Sequence, residues 1–304
     1  MASPYHEGEL AVQARAGAQE MARRVGRSIG STIPSAAQEF LGRQPMAIVG
    51  SVDDRGHVWA SLVTGGPGFM QALDERNVLI ATRPLTGDPL GENLKVNDQV
   101  GLIAIDLATR RRMRLNGRAE VGSDCAMTIH AEQVYANCPK YIQARTWELS
   151  TSSTHSARLV TKEDKLNRAQ RRWVNEADTF FIASSHYAGG GDVSHRGGHP
   201  GFVRAINERL LAWPDYAGNG MFQTLGNVAV NPSAGLLFMD FVRGATLQLT
   251  GRADLIWNET RRTAFPGAER IVEFHVERAI QIDHAMGLRW RFLDYSPFNP
   301  SGQD

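Results

Sequence analysis

The 304-residue sequence predicts a mainly β fold with flanking helices (α+β), assembled from two tandem copies of one β-rich unit. The first observation behind this is an internal repeat. PGFMQALDER (Pro67 to Arg76) aligns with PGFVRAINER (Pro200 to Arg209), with six of ten positions identical at an offset of 133. VNDQVGLIAID (Val96 to Asp106) aligns with VNPSAGLLFMD (Val230 to Asp240), and LNGRAEV (Leu115 to Val121) with LTGRADL (Leu249 to Leu255), both at an offset of 134. The second observation is local: short apolar runs bounded by turn residues, such as MAIVGSV, DDRG and HVWASLV, read as strand, turn and strand. The third is the length of the period, which implies two domains and not a solenoid.

Composition narrows the function classes. Lys plus Arg (33) nearly cancel Asp plus Glu (32), so no overall field draws the chain to nucleic acid or to an acidic membrane. The N-terminus lacks an apolar core behind positive charges, and no run of eighteen apolar residues occurs, so a cytoplasmic protein without a membrane span is expected. Cys125 and Cys138 are too few for a disulfide framework and lack metal-ligand spacing, so both are expected as reduced thiols.

In chain order, Glu7 to Ser28 places Leu10, Ala14, Met21 and Val25 at helical intervals, predicting one amphipathic helix that packs on a barrel, with Gly17 as its weak point. Ser35 and Gln38 make a capping-box signal for a short helix before MAIVGSV. NVLIAT, VGLIAID and RRMRLNGRAEV read as further strands. NCPKYIQAR has the look of a helix start, with Asn137 as cap. After the polar loop STSSTHS, a Thr161/Asp164 cap opens a helix carrying Leu166, Ala169, Trp173 and Ala177 on one face, leading into TFFIAS. The expected division is therefore 1–33 (helical segment), 34–156 (first unit with connector) and 157–304 (second unit), with the boundary near Ser156.

The stretch Asp192 to Asn231 is where the copies differ most. Ser194, His195 and Arg196 stand where the first copy has Ser61, Leu62 and Val63, so the second copy is polar where the first is core. A hydroxyl, an imidazole and a guanidinium at a strand end suit a phosphate-bearing ligand. The corresponding turn of the first copy, GDPLGEN, carries Asp88 and Glu92, which would repel phosphate.

With these motifs in hand, the chain resembles the pyridoxamine 5′-phosphate oxidase-like, FMN-binding split-barrel family, through YHEGE, NCPKYIQ, GHPGFV, PDYAGN, TLGN, NPSAGLLF and LTGRA. The resemblance covers nearly the whole chain. It implies two tandem split β-barrels of six strands each, packed as an intramolecular pseudo-dimer with FMN at the seam, and redox chemistry. The cofactor contacts expected on this basis are Ser194, His195, Arg196, His199, Trp213, Pro214, Asn219, Gln223, Thr224, Asn227, Lys140 and Arg252. The oxidases proper carry an Arg-Lys pair where this chain has Gln223 and Thr224, so phosphate charge has to be met elsewhere, with Arg196 the first candidate and Lys140 and His199 next. LRWRF (Leu288 to Phe292) only loosely matches the oxidases' substrate-binding region, so vitamin B6 oxidation is not the first choice of reaction.

Other readings stand beside these. His186, His195 and His199 raise metal ligation, but Gly197, Gly198 and Pro200 exclude a helix that would align them, and no metal is expected. Cys138 is a reactive thiol, a phosphate contact or a structural residue, with Lys140 preferred as the contact. Trp213 and Trp290 either stack on a flavin ring or fill core. Arg110, Arg111, Arg112 and Arg114 lack interleaved aromatics, so they read as a hairpin facing solvent or acidic residues of the partner barrel and not as a nucleic-acid site. The functional expectation is an FMN-dependent oxidoreductase acting on a small molecule or electron donor, with no catalytic acid or base identified. A non-catalytic electron-relay module working with a reductase partner is the alternative. Two chains are expected to pair as a homodimer, if they associate at all.

Overall fold

A computed structural model describes residues 3–122, 126–149, 158–187 and 190–300. The order is α1 (Glu7–Arg15), α2 (Gln19–Gly26), α3 (Ser35–Gly42), β1 (Met46–Val52), β2 (Val58–Thr64), β3 (Met70–Ala72), β4 (Asn77–Ile80), α4 (Leu90–Asn93), β5 (Gln99–Asp106), β6 (Arg111–Val121) and β7 (Met127–Ala136). It continues with β8 (Ala144–Leu149), β9 (Val160–Glu163), α5 (Arg168–Glu176), β10 (Thr179–Ser185), β11 (Gly191–Gly197), β12 (Arg204–Ala205), β13 (Leu210–Asp215), α6 (Gln223–Val230), β14 (Ser233–Asp240), β15 (Ala245–Ile256), α7 (Glu259–Arg262), β16 (Arg270–Ile282) and β17 (Leu288–Asp294).

The duplication in sequence is a duplication in space. One sheet runs β2-β1-β5-β6-β7-β4-β3, and the other runs β11-β10-β14-β15-β16-β13-β12 with β9 added beside β16. Registers agree: Val49 faces Ser61 in the first copy as Ile182 faces Ser194 in the second, and Leu102 faces Leu115 as Leu236 faces Leu249. Each sheet surrounds its own core, one built on residues such as Val49, Ile80, Leu102 and Leu115 and the other on Phe180, Trp213, Phe238 and Phe274. The fold is thus two tandem split barrels whose hydrogen-bonded strand paths stay open.

A third core joins the copies. Met46, Ile48, Leu62 and Ile103 of the first pack with Phe181, Val193, Leu237 and Met239 of the second. Phe181 is fully buried, and taking such a side chain out of water contributes about 1.5–3 kcal/mol. The seam explains two glycines in the duplicated GL motif. A Cβ on Gly101 would sit 2.6 Å from the Asp192 Cα, and one on Gly235 would sit 2.7 Å from the Trp59 Cα. Asp192 and Trp59 are themselves duplicates, so each barrel seats the other's second strand on bare backbone.

Several local expectations are corrected. The N-terminal helix is two helices, because the chain turns at Gly17 with φ +66°. Its buried side is also different: Leu10 and Met21 are exposed, while Gly8, Glu9, Val12 and Gln13 are buried. The reason is that α1 packs on α6, with Gly8 and Gly226 letting the helices close; a Cβ on Gly226 would lie 2.6 Å from the Glu9 Cα. Ser35 is the first helical residue behind a Pro34 cap and makes no capping bond. Asn137 to Arg145 forms no helix; it is a turn, with Tyr141 at φ +66°, leading into β8. Thr161 lies in β9, and α5 begins six residues later than expected, capped by Asn167 and Gln170 in a reciprocal capping box. The boundary expected near Ser156, and Cys125, lie outside the described residues; Cys138 is a free, exposed thiol.

Candidate functional site

The seam opens into a cavity of about 120 Å³ between β6 and the following turn on one side and β11, the end of β13 and the start of α6 on the other. Residues alternate across a strand, so Arg112 and Arg114 of β6 share a face, and that face meets the second unit. Arg114 is buried. It pairs with Asp192 and donates through Nη1 to Gln223 Oε1 at 3.2 Å. Thr224 Oγ1 donates to Asp192 Oδ2 at 3.1 Å, and the Tyr135 hydroxyl donates to Asp192 Oδ1 at 3.1 Å.

Beside this pair lies a cluster with excess positive charge. Arg112 Nη1 donates to His195 Nδ1 at 3.1 Å, which fixes the His195 proton on Nε2. His195 is buried, and its Nε2 has no partner. Burial, reinforced by Arg112, Arg196 and Arg145, lowers its pKa well below the ordinary value, so it is a neutral hydrogen-bond donor. Arg196 Nη1 donates to the His195 carbonyl at 3.1 Å. The Nε atoms of Arg112 and Arg196 are buried without partners. Among the described residues no carboxylate lies within ion-pair distance of either guanidinium. Burial and the neighbouring Arg114 and Arg196 push Arg112 down to about 9, which leaves it charged at neutral pH.

The first turn of α6 completes the lining. Phe222 enters the helix at φ +59°, no side chain caps it, and Phe222 to Leu225 all line the cavity. An uncapped helix start beside surplus arginines is a favourable place for an anion. Adjoining this cavity across Phe202 and Tyr216 is a cleft of about 230 Å³ between His199, Pro200, Arg204, Phe265, Pro266 and Pro300.

Of the expected site residues, Ser194, His195, Arg196, Lys140, Pro214, Asn219, Gln223 and Thr224 line the cavity together. The others lie elsewhere. His199 is on the adjoining cleft. Trp213 is fully buried against Phe180 and Phe274, so it fills the barrel core and presents no face to the cavity. Asn227 binds His6 and Ser184 at the wall of a different cavity. Arg252 is exposed on β15. Sequence reasoning missed Arg112 and Arg114, which had been assigned to solvent or to acidic partners of the other barrel. Arg114 does meet such a partner, but Arg112 does not. The available signal was their spacing of two on one strand, beside Arg110 and Arg111 that point elsewhere: Arg110 pairs with Asp294, and Arg111 lies over Phe40.

The family model for pyridoxamine 5′-phosphate oxidase matches the chain twice, over residues 33–153 and 166–289. The chain belongs to the pyridoxamine 5′-phosphate oxidase family. Both matches fall on the duplicated sheets, so this family member carries the family's unit in tandem. Among solved structures, HupZ from Group A Streptococcus is 13% identical, covers 45% of this chain and 99% of its own, and has a TM-score of 0.31. A putative pyridoxamine 5′-phosphate oxidase from Lactobacillus delbrueckii is 14% identical, covers 38% of this chain and 94% of its own, with a TM-score of 0.32. An FMN-binding protein from Syntrophomonas wolfei is 8% identical, covers 37% of this chain and 84% of its own, with a TM-score of 0.27. No curated protein matches the chain. Among the described residues no helix is long and apolar enough to cross a membrane.

Proposed function

We propose that this oxidase-family member binds FMN in the seam cavity and serves as an FMN-dependent oxidoreductase. The observation that carries the reading is the surplus of guanidinium groups at Arg112 and Arg196, whose buried Nε atoms lack partners beside an uncapped helix start. The residues fit the group. A flavin phosphate needs several donors and positive charge, which Arg112, Arg196, Ser194 and Lys140 supply, with the His195 Nε2–H as a neutral donor. The cavity of about 120 Å³ matches the phosphate end of such a ligand, and the adjoining cleft, walled by Phe202, Tyr216, Phe265 and three prolines, suits a flat ring. The flavin supplies electron transfer when bound, while the chain binds and orients it and restricts water.

The gap left by Gln223 and Thr224 has a physical answer in this reading. Positive charge comes from the opposing barrel, where Arg112, which has no ion-pair partner among the described residues, lines the same cavity as Gln223 and Thr224. The test is to purify the protein, add excess FMN, and record the flavin spectrum and the dissociation constant. A preparation that stays colourless and shows no bound FMN would sink the reading. Turnover of an acceptor with NAD(P)H and no partner protein distinguishes an oxidoreductase from an electron relay.

A further inference from the structure

We propose that His6, Glu7 and His186 form a binding site for a divalent transition-metal cation of the zinc class. It lies apart from the seam cavity and does not rest on flavin binding. His6 is the N-cap of α1, Glu7 is its first residue, and His186 follows the end of β10 in the second unit. One ligand atom from each lies within 4.8 Å of the other two, and among the described residues this is the only such group of three.

The chemistry of each donor supports a shared cation. His186 Nε2 and Glu7 Oε1 are 2.9 Å apart, the spacing of two ligands now sharing a proton that a metal ion can replace. His6 receives the Gly8 amide on Nδ1 at 3.1 Å, while its Nε2 meets Asn227 Oδ1 at 2.9 Å, so the ring proton sits on Nε2 and the lone pair on Nδ1. Asn227 is itself held through Nδ2 on Ser184 Oγ at 3.0 Å. An imidazole whose far nitrogen is fixed by an oriented carbonyl is the usual arrangement of a ligating histidine, and we assign Nδ1 as its ligand atom, with the metal displacing the Gly8 amide that this lone pair now accepts. Metal–nitrogen bonds of about 2.0–2.1 Å require the three donors to draw closer than they now stand. Glu7, with 72% of its side chain exposed, is free to make that movement. Two imidazoles and one carboxylate are ligands that zinc and its neighbours accept and that magnesium and calcium do not favour.

The open side of the cluster faces a polar cavity of about 410 Å³, which His6 and His186 both line, so water can complete the coordination. The consequence is mechanical: a bound ion would tie the start of α1 to the second barrel and hold α1 on α6, whose first turn lines the seam cavity.

The test uses the full-length, tag-free chain, stripped with chelator and dialysed. Zinc is titrated by calorimetry and cobalt by visible absorption. One equivalent per chain is expected, with cobalt bands of nitrogen-bound character. His186→Ala, His186→Asn and Glu7→Gln should each weaken zinc binding by about tenfold or more, while His275→Ala should leave it unchanged. Circular dichroism establishes that the variants are folded, and His186→Asn covers the case in which the alanine variant is not. No binding at millimolar zinc, or equal affinity in a folded His186 variant, would overturn the proposal.

Discussion

Arg114 and Gln248 occupy the same position in the two copies and reach into opposite ends of the seam. Arg114 meets Asp192 and Gln223 of the second unit; Gln248 Nε2 donates to Asp88 Oδ2 at 3.0 Å and to the Ala60 carbonyl at 2.9 Å in the first. Thr246 likewise replaces Arg112. One end of the seam therefore carries surplus cations, and the other is closed by hydrogen bonds donated to the buried Asp88 carboxyl. The expected outcome is one FMN per chain by fluorescence titration. Arg112→Ala and Arg196→Ala should each weaken binding by about 1.5–3 kcal/mol, the range for hydrogen bonds to charged groups. Gln248→Ala should leave the dissociation constant within about twofold. A stoichiometry of two would contradict the asymmetry.

Asp88 makes the closed end sensitive to pH. Burial raises its carboxyl from 3.8 to about 6, against the opposing donors from Ser61, the Leu90 amide and Gln248. A folded-state pKa above the unfolded one means the protonated form is favoured by folding. That contribution is complete below about pH 4 and is lost as pH rises through about 6. Asp88→Asn keeps the shape of the neutral acid, and Gln248 Oε1, buried without a partner, can accept its amide if that side chain flips. Relative to wild type, the variant should gain about 2–3 kcal/mol between pH 4 and pH 7 in denaturant unfolding. A difference that does not change with pH would show that Asp88 is not protonated in the fold.

The repeat made the fold legible because strand register is set by alternation, and from β1 to β6 both copies keep it through an offset that steps only once, from 133 to 134. Helix starts were less legible. Thr161 and Asp164 form an acceptable cap in isolation, but Val160–Glu163 gains more by extending the sheet beside β16, and the true cap, Asn167, lay a few residues on. The placement of Ser194, His195 and Arg196 on one cavity was legible from the contrast between copies. Arg112 and Arg114 were not, because their role depends on which barrel their face of β6 meets. Trp213 was ambiguous for the same reason: an aromatic beside a loop becomes core or wall according to strand direction, which one residue cannot reveal.

The seam glycines give a test of packing alone. A Cβ on Gly101 or on Gly235 would strike backbone of the opposite barrel, which no rotamer change can relieve. Gly101→Ala and Gly235→Ala should each destabilise the protein by about 1–3 kcal/mol, read as a lower denaturation midpoint. The equivalent placement predicts similar losses. A neutral effect at either position would mean that the barrels can shift apart without penalty.

The buried pair of Arg114 and Asp192 separates stability from ligand binding. Removing only the arginine leaves Asp192 buried with the hydroxyls of Thr224 and Tyr135 and no cation, so Arg114→Ala should cost about 3–5 kcal/mol. Replacing both partners with apolar residues of similar volume, Arg114→Met with Asp192→Leu, should recover much of that loss, giving a coupling energy well above zero in a double-mutant cycle. Because Asp192 already neutralises Arg114, the double variant should lose less FMN affinity than Arg112→Ala, whose guanidinium has no carboxylate partner. If the double variant instead binds FMN more weakly than Arg112→Ala, the charge that holds the phosphate is that of Arg114, and Asp192 serves to aim it.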